Sequence, residues 1–485
     1  MRLPDGVRRY LLHLLERDAA ERALDTAELE ALAAAAEGRS AKPLPELLRG
    51  WVSSATAQMR WKRARPVAAK ELADHLSDQY EAFLDEGMDE EAAAQATARE
   101  MGDAVETGTQ LDRAWRPRPD WVMLGIVLVV TAIGLVLQYL LRLPFCEEMG
   151  ISVQASLLNQ LFYFAVGVCL LLAAYFADYT ILGRHCWLLY GLWVVGGLAL
   201  IVGPLNYEVN GKLVYLAQWV WFFPVLFAGI LFRQRGKGTR GVCICLLSLP
   251  AMWFLALQAP SMAALLGQTV VCCGMLAAAV WRGVFGRRNM EKLSLAVSPV
   301  LALALFCLFQ LDKYPHIRYK LEIVFHPQID AVAQGWLGAL VQYIMFGIRY
   351  PNCEKGGYEA FMRYEGTTDL LFVSAKYCWG WAAVLLILAA VVLLLVWGFR
   401  IARKQTGLLA RSVCMGVMVT FALQTLMYML QNCGIILIAA YGLPLLSYGS
   451  LYLCQTMLLL GLLLSAQRSG QLESGLAPQN ARSVP

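Results

Sequence analysis

Charge is what this 485-residue chain has least of: Asp, Glu, Lys and Arg together make up 16% of it, against about a quarter in an average soluble domain. Histidine is scarcer still, with five residues. No long basic run is present, so nucleic acid is not expected as a partner. No C-x-x-C pair of zinc type occurs either. Most of the thirteen cysteines (Cys169, Cys243, Cys245, Cys272, Cys273, Cys307, Cys414, Cys433 and Cys454 among them) lie in apolar runs, where Cys is a small hydrophobe. Cys146 and Cys353 fall outside those runs, and a disulfide between them stays open. Residues 1–60 lack a short apolar core followed by a small-residue cleavage site, so no signal peptide is expected there.

What is present is hydrophobic. Ten apolar runs are long enough to cross about 30 Å of hydrocarbon: 121–141, 155–177, 186–204, 213–232, 241–258, 263–281, 293–310, 370–398, 412–438 and 447–467. Basic residues gather in alternate connections. These hold Arg184; Arg233, Arg235, Lys237 and Arg240; Arg282, Arg287, Arg288 and Lys292; and Arg400, Arg403, Lys404 and Arg411. The short connections on the other side carry little beyond Arg142 and Lys212. The positive-inside rule then places both termini in the cytoplasm, and an odd number of spans would break the pattern.

The expected fold class is all-α: a polytopic membrane protein of about ten transmembrane helices, preceded by a small soluble helical domain. Residues 1–118 form that prefix, 119–470 the membrane domain, and 471–485 a cytoplasmic tail expected to be disordered. Within the prefix, a helix over about 66–86 ends at Gly87, and Asp89 caps a second over about 90–101. His75 reads as a packing or capping residue rather than a metal ligand. The connection over 311–369 is long and lies on the outer side. Its apolar stretch 331–348 predicts an amphipathic or re-entrant helix at the outer interface.

Apart from Lys376, the ten runs are nearly free of ionisable side chains. Ion-coupled carriers need titratable or cation-binding groups within their spans, so this interior argues against one. The polar residues able to do chemistry sit in outer loops instead, which places any substrate at the outer face. Lys376 lies seven residues after Asp369, two helical turns along one face, where it can supply a counter-charge to that carboxylate.

The C-terminal stretch Leu443-Pro444-Leu445-Leu446-Ser447-Tyr448-Gly449-Ser450 resembles the turn that precedes the last span in the SEDS family of cell-wall proteins, the FtsW/RodA/SpoVE type. Gln424, Asn432 and Gly434 match polar positions of that family's penultimate span. Thr367-Thr368-Asp369-Leu370-Leu371-Phe372 looks like its His-Thr-Asp-Phe-Ile-Phe motif. Arg318, Pro327, Asp330 and Gly335 fall where its long outer loop has Arg, Pro, Asp and Gly elements, and Asp178-Tyr179 and Asn210-Gly211 echo further positions. The similarity covers roughly residues 120–468. The prefix resembles a small permease-prefix domain through Glu71-Leu72, Asp74-His75-Leu76, Gly87, Ala92 and Met101-Gly102-Asp103.

The resemblance implies a bacterial plasma-membrane glycosyltransferase that polymerises lipid II for division, elongation or sporulation, beside a class B penicillin-binding protein and surrounding membrane lipids. It places the essential aspartate at Asp369 as general base; the residue-level alternative is an N-cap for the span beginning at Leu370. Candidates to hold the departing pyrophosphate are Arg318, Lys320, Lys212 and Arg363, with a divalent cation, Mg²⁺ or Mn²⁺, as a further possibility. Lys376, Pro444, Ser447, Tyr448, Gly449, Gln424 and Asn432 read as site-shaping.

The chain also departs from the pattern. Lys212-Leu213-Val214-Tyr215 replaces a run with two arginines and a tryptophan, and Pro224-Val225-Leu226 lacks a carboxylate. Gln258-Ala259-Pro260 lacks an acid, and Lys376-Tyr377-Cys378-Trp379-Gly380 stands for Gly-Glu-Glu-Leu-Gly. These departures keep two other readings open: a non-catalytic scaffold or regulator of cell-wall synthesis, and a flippase for the lipid-linked precursor.

Overall fold

The computed structural model describes the chain outside residues 1–43, 63, 116–118, 150–152, 204–207, 210–211, 287–289, 314, 331–334, 349–369, 436–441, 448 and 475–485. Two compact units divide after Arg116. In the first, helices α1 (Glu46–Ala57), α2 (Arg65–Asp85), α3 (Glu90–Glu100) and α4 (Ala104–Trp115) pack around Leu48, Leu76, Tyr80, Ala93 and Ala94. Gly87 takes φ +91°, the left-handed conformation that ends α2. Asp89 occupies the N-cap position of α3, but its side chain makes no capping bond. His75 is exposed midway along α2, outside the cluster that packs this unit.

The crossing of α1 and α4 is close. A Cβ at Gly108 would collide with the backbone carbonyl of Ala55. Gly108→Ala is therefore expected to force these helices apart at a cost of about 1–3 kcal/mol. Hydrogen exchange across α1 and α4 in the full chain should accelerate, and unchanged protection would show that the crossing tolerates a methyl.

The second unit is a bundle of apolar helices. In chain order it contains α5 (Trp121–Met149), α6 (Val153–Phe176), the short α7 (Ile181–Arg184), α8 (Cys186–Val202), a two-residue hairpin of β1 (Glu208–Val209) and β2 (Lys212–Leu213), α9 (Val214–Val220), α10 (Phe223–Arg233), α11 (Gly238–Leu247), α12 (Leu249–Gln258), α13 (Met262–Trp281), α14 (Met290–Lys313), α15 (Pro315–Phe325), a 3-10 turn (Pro327–Asp330), α16 (Trp336–Phe346), α17 (Leu371–Trp379), α18 (Trp381–Lys404), α19 (Leu408–Asn432) and α20 (Ser450–Ser474). Among the described residues, nine segments are long and apolar enough to cross a membrane; α8, with 17 residues, is a shorter apolar helix where the third span is expected. The chain is a multi-pass membrane protein.

Three expected spans are not continuous helices, and each break has a local cause. Pro224, in the first turn of α10, cannot donate into α9, so run 213–232 divides at Trp221–Phe222. Pro250 does the same between α11 and α12 at Ser248, whose carbonyl accepts from the Tyr190 hydroxyl, 3.1 Å away. Run 370–398 divides at Gly380, whose φ of +76° and ψ of −167° suit glycine.

The long connection after α14 is helical through α15, the 3-10 turn and α16. Helix α16, within the stretch 331–348, lies on α17 and buries Gly338, Ala339, Leu340, Val341 and Met345. Helix α20 lies along α6, α13 along α14, α18 beside α19, and α19 against α10, α13 and α20.

Candidate functional site

Position 369 lies outside the described residues, but the element that follows it is held in detail. Leu370 is fully buried with Leu340, Val341, Met345 and Val373 in a small cluster between α16 and α17. Helix α17 then enters the protein interior, burying Leu371, Phe372, Val373, Ser374 and Ala375. A buried helix N-terminus needs partners for its first N–H groups. Two side chains of α19 supply them. Leu371 N donates to the Tyr428 hydroxyl at 2.9 Å, and Phe372 N and Val373 N donate to Asn432 Oδ1 at 3.2 and 3.4 Å. Asn432 Nδ2 donates to the Tyr428 carbonyl at 2.9 Å, which fixes the amide's orientation.

This arrangement corrects one reading of the sequence. Leu370, not Asp369, takes the N-cap position of the helix, and no side chain from that position caps it. The amides an N-cap aspartate uses are held by Tyr428 and Asn432. Asn432, singled out by its polarity, is thus a cap across helices.

Lys376, further along α17, has partners of its own. Its ammonium donates to the carbonyls of Ile344 and Met345, the latter at 2.7 Å, near the end of α16. It also stands 5.1 Å from the centre of the Trp381 ring. A cation on the last carbonyls of a helix satisfies unpaired acceptors and complements the negative end of the helix dipole. Lys376 ties α16 to α17, and thereby holds both flanks of the segment that contains positions 363 and 369.

The turn before the last span is built from its own polar atoms. Ser447 Oγ accepts from Leu443 N at 2.7 Å, and Gln138 of α5 donates to the Leu446 carbonyl at 2.6 Å. Leu445 takes a φ of +66°, and its carbonyl lies against Gly134, where a Cβ would approach it to 2.8 Å. Pro444 and Ser447 are buried, and Gly449 has a φ of +145°.

A cavity of about 540 Å³ opens between α6, α8, α9 and the first half of α20. Leu170, Leu200, Trp219, Phe222, Leu451 and Leu458 make it apolar. Gln218 and Gln455 also line it, and the side-chain oxygen of each is buried without a hydrogen-bond partner. The wall is fixed by two reciprocal bonds: Trp193 Nε1 donates to the Trp219 carbonyl at 3.1 Å, and Trp219 Nε1 to the Trp193 carbonyl at 2.9 Å. Gly196 lets the Trp219 ring lie against α8, since a Cβ there would come within 2.9 Å of it. Gly196→Leu is expected to displace that indole into the cavity and lower the uptake of a long-chain lipid by about tenfold. Lipid binding to the purified protein, measured by native mass spectrometry, checks this; unchanged binding would place the lipid elsewhere.

No family model matches the chain, and no curated protein sequence matches it. Solved structures do. A chain from a study of the structural coordination of polymerization and crosslinking by a peptidoglycan synthase complex is 20% identical, with a TM-score of 0.55 over 73% of this chain and 98% of that one. The two share a fold. The rod shape determining protein RodA of Thermus thermophilus is 18% identical, with a TM-score of 0.49 over 72% of this chain and 97% of that one. A mutant of the same protein is 19% identical, with a TM-score of 0.48 and 72% and 98% coverage.

Within this fold, the residues named from sequence fall in separate places. Asn432 of α19 binds the start of α17 and Lys376 ties α17 to α16, while Pro444, Ser447 and Gly449 shape the turn; Gln424 is buried in α19. Arg318 is exposed on α15, without a hydrogen bond or ion pair to another described residue. Lys212 and Lys320 are described only through their backbones, in β2 and α15. Asp369, Arg363, Tyr448 and Cys353 lie outside the described residues. Sequence reasoning missed Tyr428, Gln218 and Gln455. The two glutamines carried a usable signal, as carboxamides inside spans where polar groups are expensive.

Proposed function

We propose that the chain is a SEDS-type glycosyltransferase that polymerises lipid II at the outer face of the plasma membrane, for division, elongation or sporulation. The observation that carries this is the pinned start of α17. The residue bonded to Leu370 is a carboxylate, and the helix amides that would otherwise bind it are already engaged by Tyr428 and Asn432. The shared fold supports the same reading.

In the proposed reaction, the 4-hydroxyl oxygen of the acceptor sugar attacks the anomeric carbon of the donor from the face opposite its pyrophosphate. The carbon–oxygen bond to pyrophosphate breaks, and its electron pair leaves with undecaprenyl pyrophosphate. Asp369 takes the hydroxyl proton, and the anomeric centre inverts. Arg318, Lys320, Lys212 and Arg363 are the candidates to bind the negative charge that develops on the leaving group. Among the described residues, no three His, Cys, Asp or Glu side chains converge; a divalent cation, Mg²⁺ or Mn²⁺, would add positive charge at the departing pyrophosphate. The apolar cavity suits the polyisoprenoid chain of the same substrate.

A class B penicillin-binding protein is the proposed partner, by analogy with a complex that couples polymerization to crosslinking. The test is purified protein with labelled lipid II, with and without that partner and with Mg²⁺ or Mn²⁺. Glycan strands are expected with the partner present. The altered positions around Lys212, Pro224 and Gln258 favour a second reading, a non-catalytic scaffold of cell-wall synthesis. Precursor binding without strands under every pairing selects it.

A further inference from the structure

The end of the bundle that carries the basic loops holds two guanidinium groups in each other's field. Arg282 follows α13, Arg411 lies in the first turn of α19, and these two helices pack together. Neither side chain makes a hydrogen bond or ion pair with another described residue, and Arg411 Nε is buried with no partner. Arg282 is exposed as a residue, but partial desolvation of its guanidinium first, and the Arg411 charge second, hold it below its ordinary value. Of the acids at this end, Asp120 accepts from Gln467 at 3.0 Å and from Trp397, Asp178 accepts from Thr180, and Glu291 in the first turn of α14 has a partner of its own.

Three unfavourable terms therefore coincide. Like charges are neighbours, a buried donor is unmatched, and a cation occupies the first turn of a helix, where the dipole is positive. The first turn of α19 has no acidic residue, and Gly407 at its N-cap supplies no side-chain acceptor. One anion seated between the guanidinium groups relieves all three. Its source is indicated by Trp281, the residue before Arg282, which is 55% exposed at the end of an apolar span. Indoles in that position sit at the level of lipid headgroups.

We propose that Arg282 and Arg411 bind the phosphate of an anionic phospholipid at the basic end of the bundle. Guanidinium groups present paired donors that match phosphate oxygens, and basic pockets between membrane helices are suited to such headgroups. The site is independent of the glycosyl-transfer reading, because it lies at the opposite end of the spans from α17.

The experiment uses the purified full chain in detergent and counts bound phosphatidylglycerol and phosphatidylcholine by native mass spectrometry during titration. Wild-type protein is expected to favour phosphatidylglycerol, and the Arg282→Gln, Arg411→Gln double variant to bind it about tenfold or more weakly. Lys404→Gln, which removes an exposed cation from the same end, should change binding by less than about twofold. If Arg411→Gln does not fold, Arg282→Gln alone carries the test, since Arg282 follows the last residue of α13 and packs into no helix. Equal phosphatidylglycerol binding by wild type and variants overturns the proposal. Tight binding of inorganic phosphate that displaces the lipid reassigns the site to a free anion and overturns its lipid source.

Discussion

Asp369→Asn is expected to abolish glycan-strand synthesis while leaving the fold intact. The asparagine has nearly the shape of the aspartate but cannot accept the acceptor hydroxyl's proton. Loss of a positioned general base slows a reaction by about 10²–10⁴-fold, or roughly 3–5 kcal/mol of barrier. The prediction of an unchanged fold comes from α17. Its first amides are bound by Tyr428 and Asn432, so no helix cap is lost with the carboxylate. Turnover of labelled lipid II and thermal unfolding, measured on the same preparation, separate the two contributions. An active variant would remove Asp369 as the base. A variant destabilised by more than about 1 kcal/mol would restore the capping role that the structure assigns to α19.

The parts of the fold that were legible in the sequence are those set by composition over twenty residues. Apolar runs and alternating basic loops located the spans, because hydrocarbon imposes length and hydrophobicity on any helix that crosses it. Breaks within spans were not legible from hydropathy, since Pro224, Pro250 and Gly380 change backbone geometry without changing apolar content. Asn432 could be noticed as polar in an apolar helix, but its bond to Phe372 joins residues 60 apart, and nothing local encodes that pairing. Lys376 shows the same limit. A helical ruler pointed it back along its own chain toward Asp369, and nothing local encoded its bonds to carbonyls more than thirty residues earlier. The cavity depends on how four helices approach, and only its two glutamines left a trace in the sequence.

Lys376→Met carries the second large effect. Methionine keeps the length and apolar body of the side chain and removes the donors that bind Ile344 and Met345. Hydrogen bonds to a charged group contribute about 1.5–3 kcal/mol each. Lys376 is partly exposed, so solvent screens some of this, and a total loss of about 2–3 kcal/mol is expected. The midpoint of thermal unfolding should fall, and hydrogen exchange should accelerate in α16 and at the start of α17. Strand synthesis should fall as well, because the two flanks of the segment bearing Asp369 are no longer tied together. Lys376→Arg, which restores a cationic donor at that site, is expected to recover part of both properties. If Lys376→Met matches wild type in stability and turnover, the tie between α16 and α17 contributes nothing, and the placement of Asp369 must depend on the Tyr428 and Asn432 contacts alone.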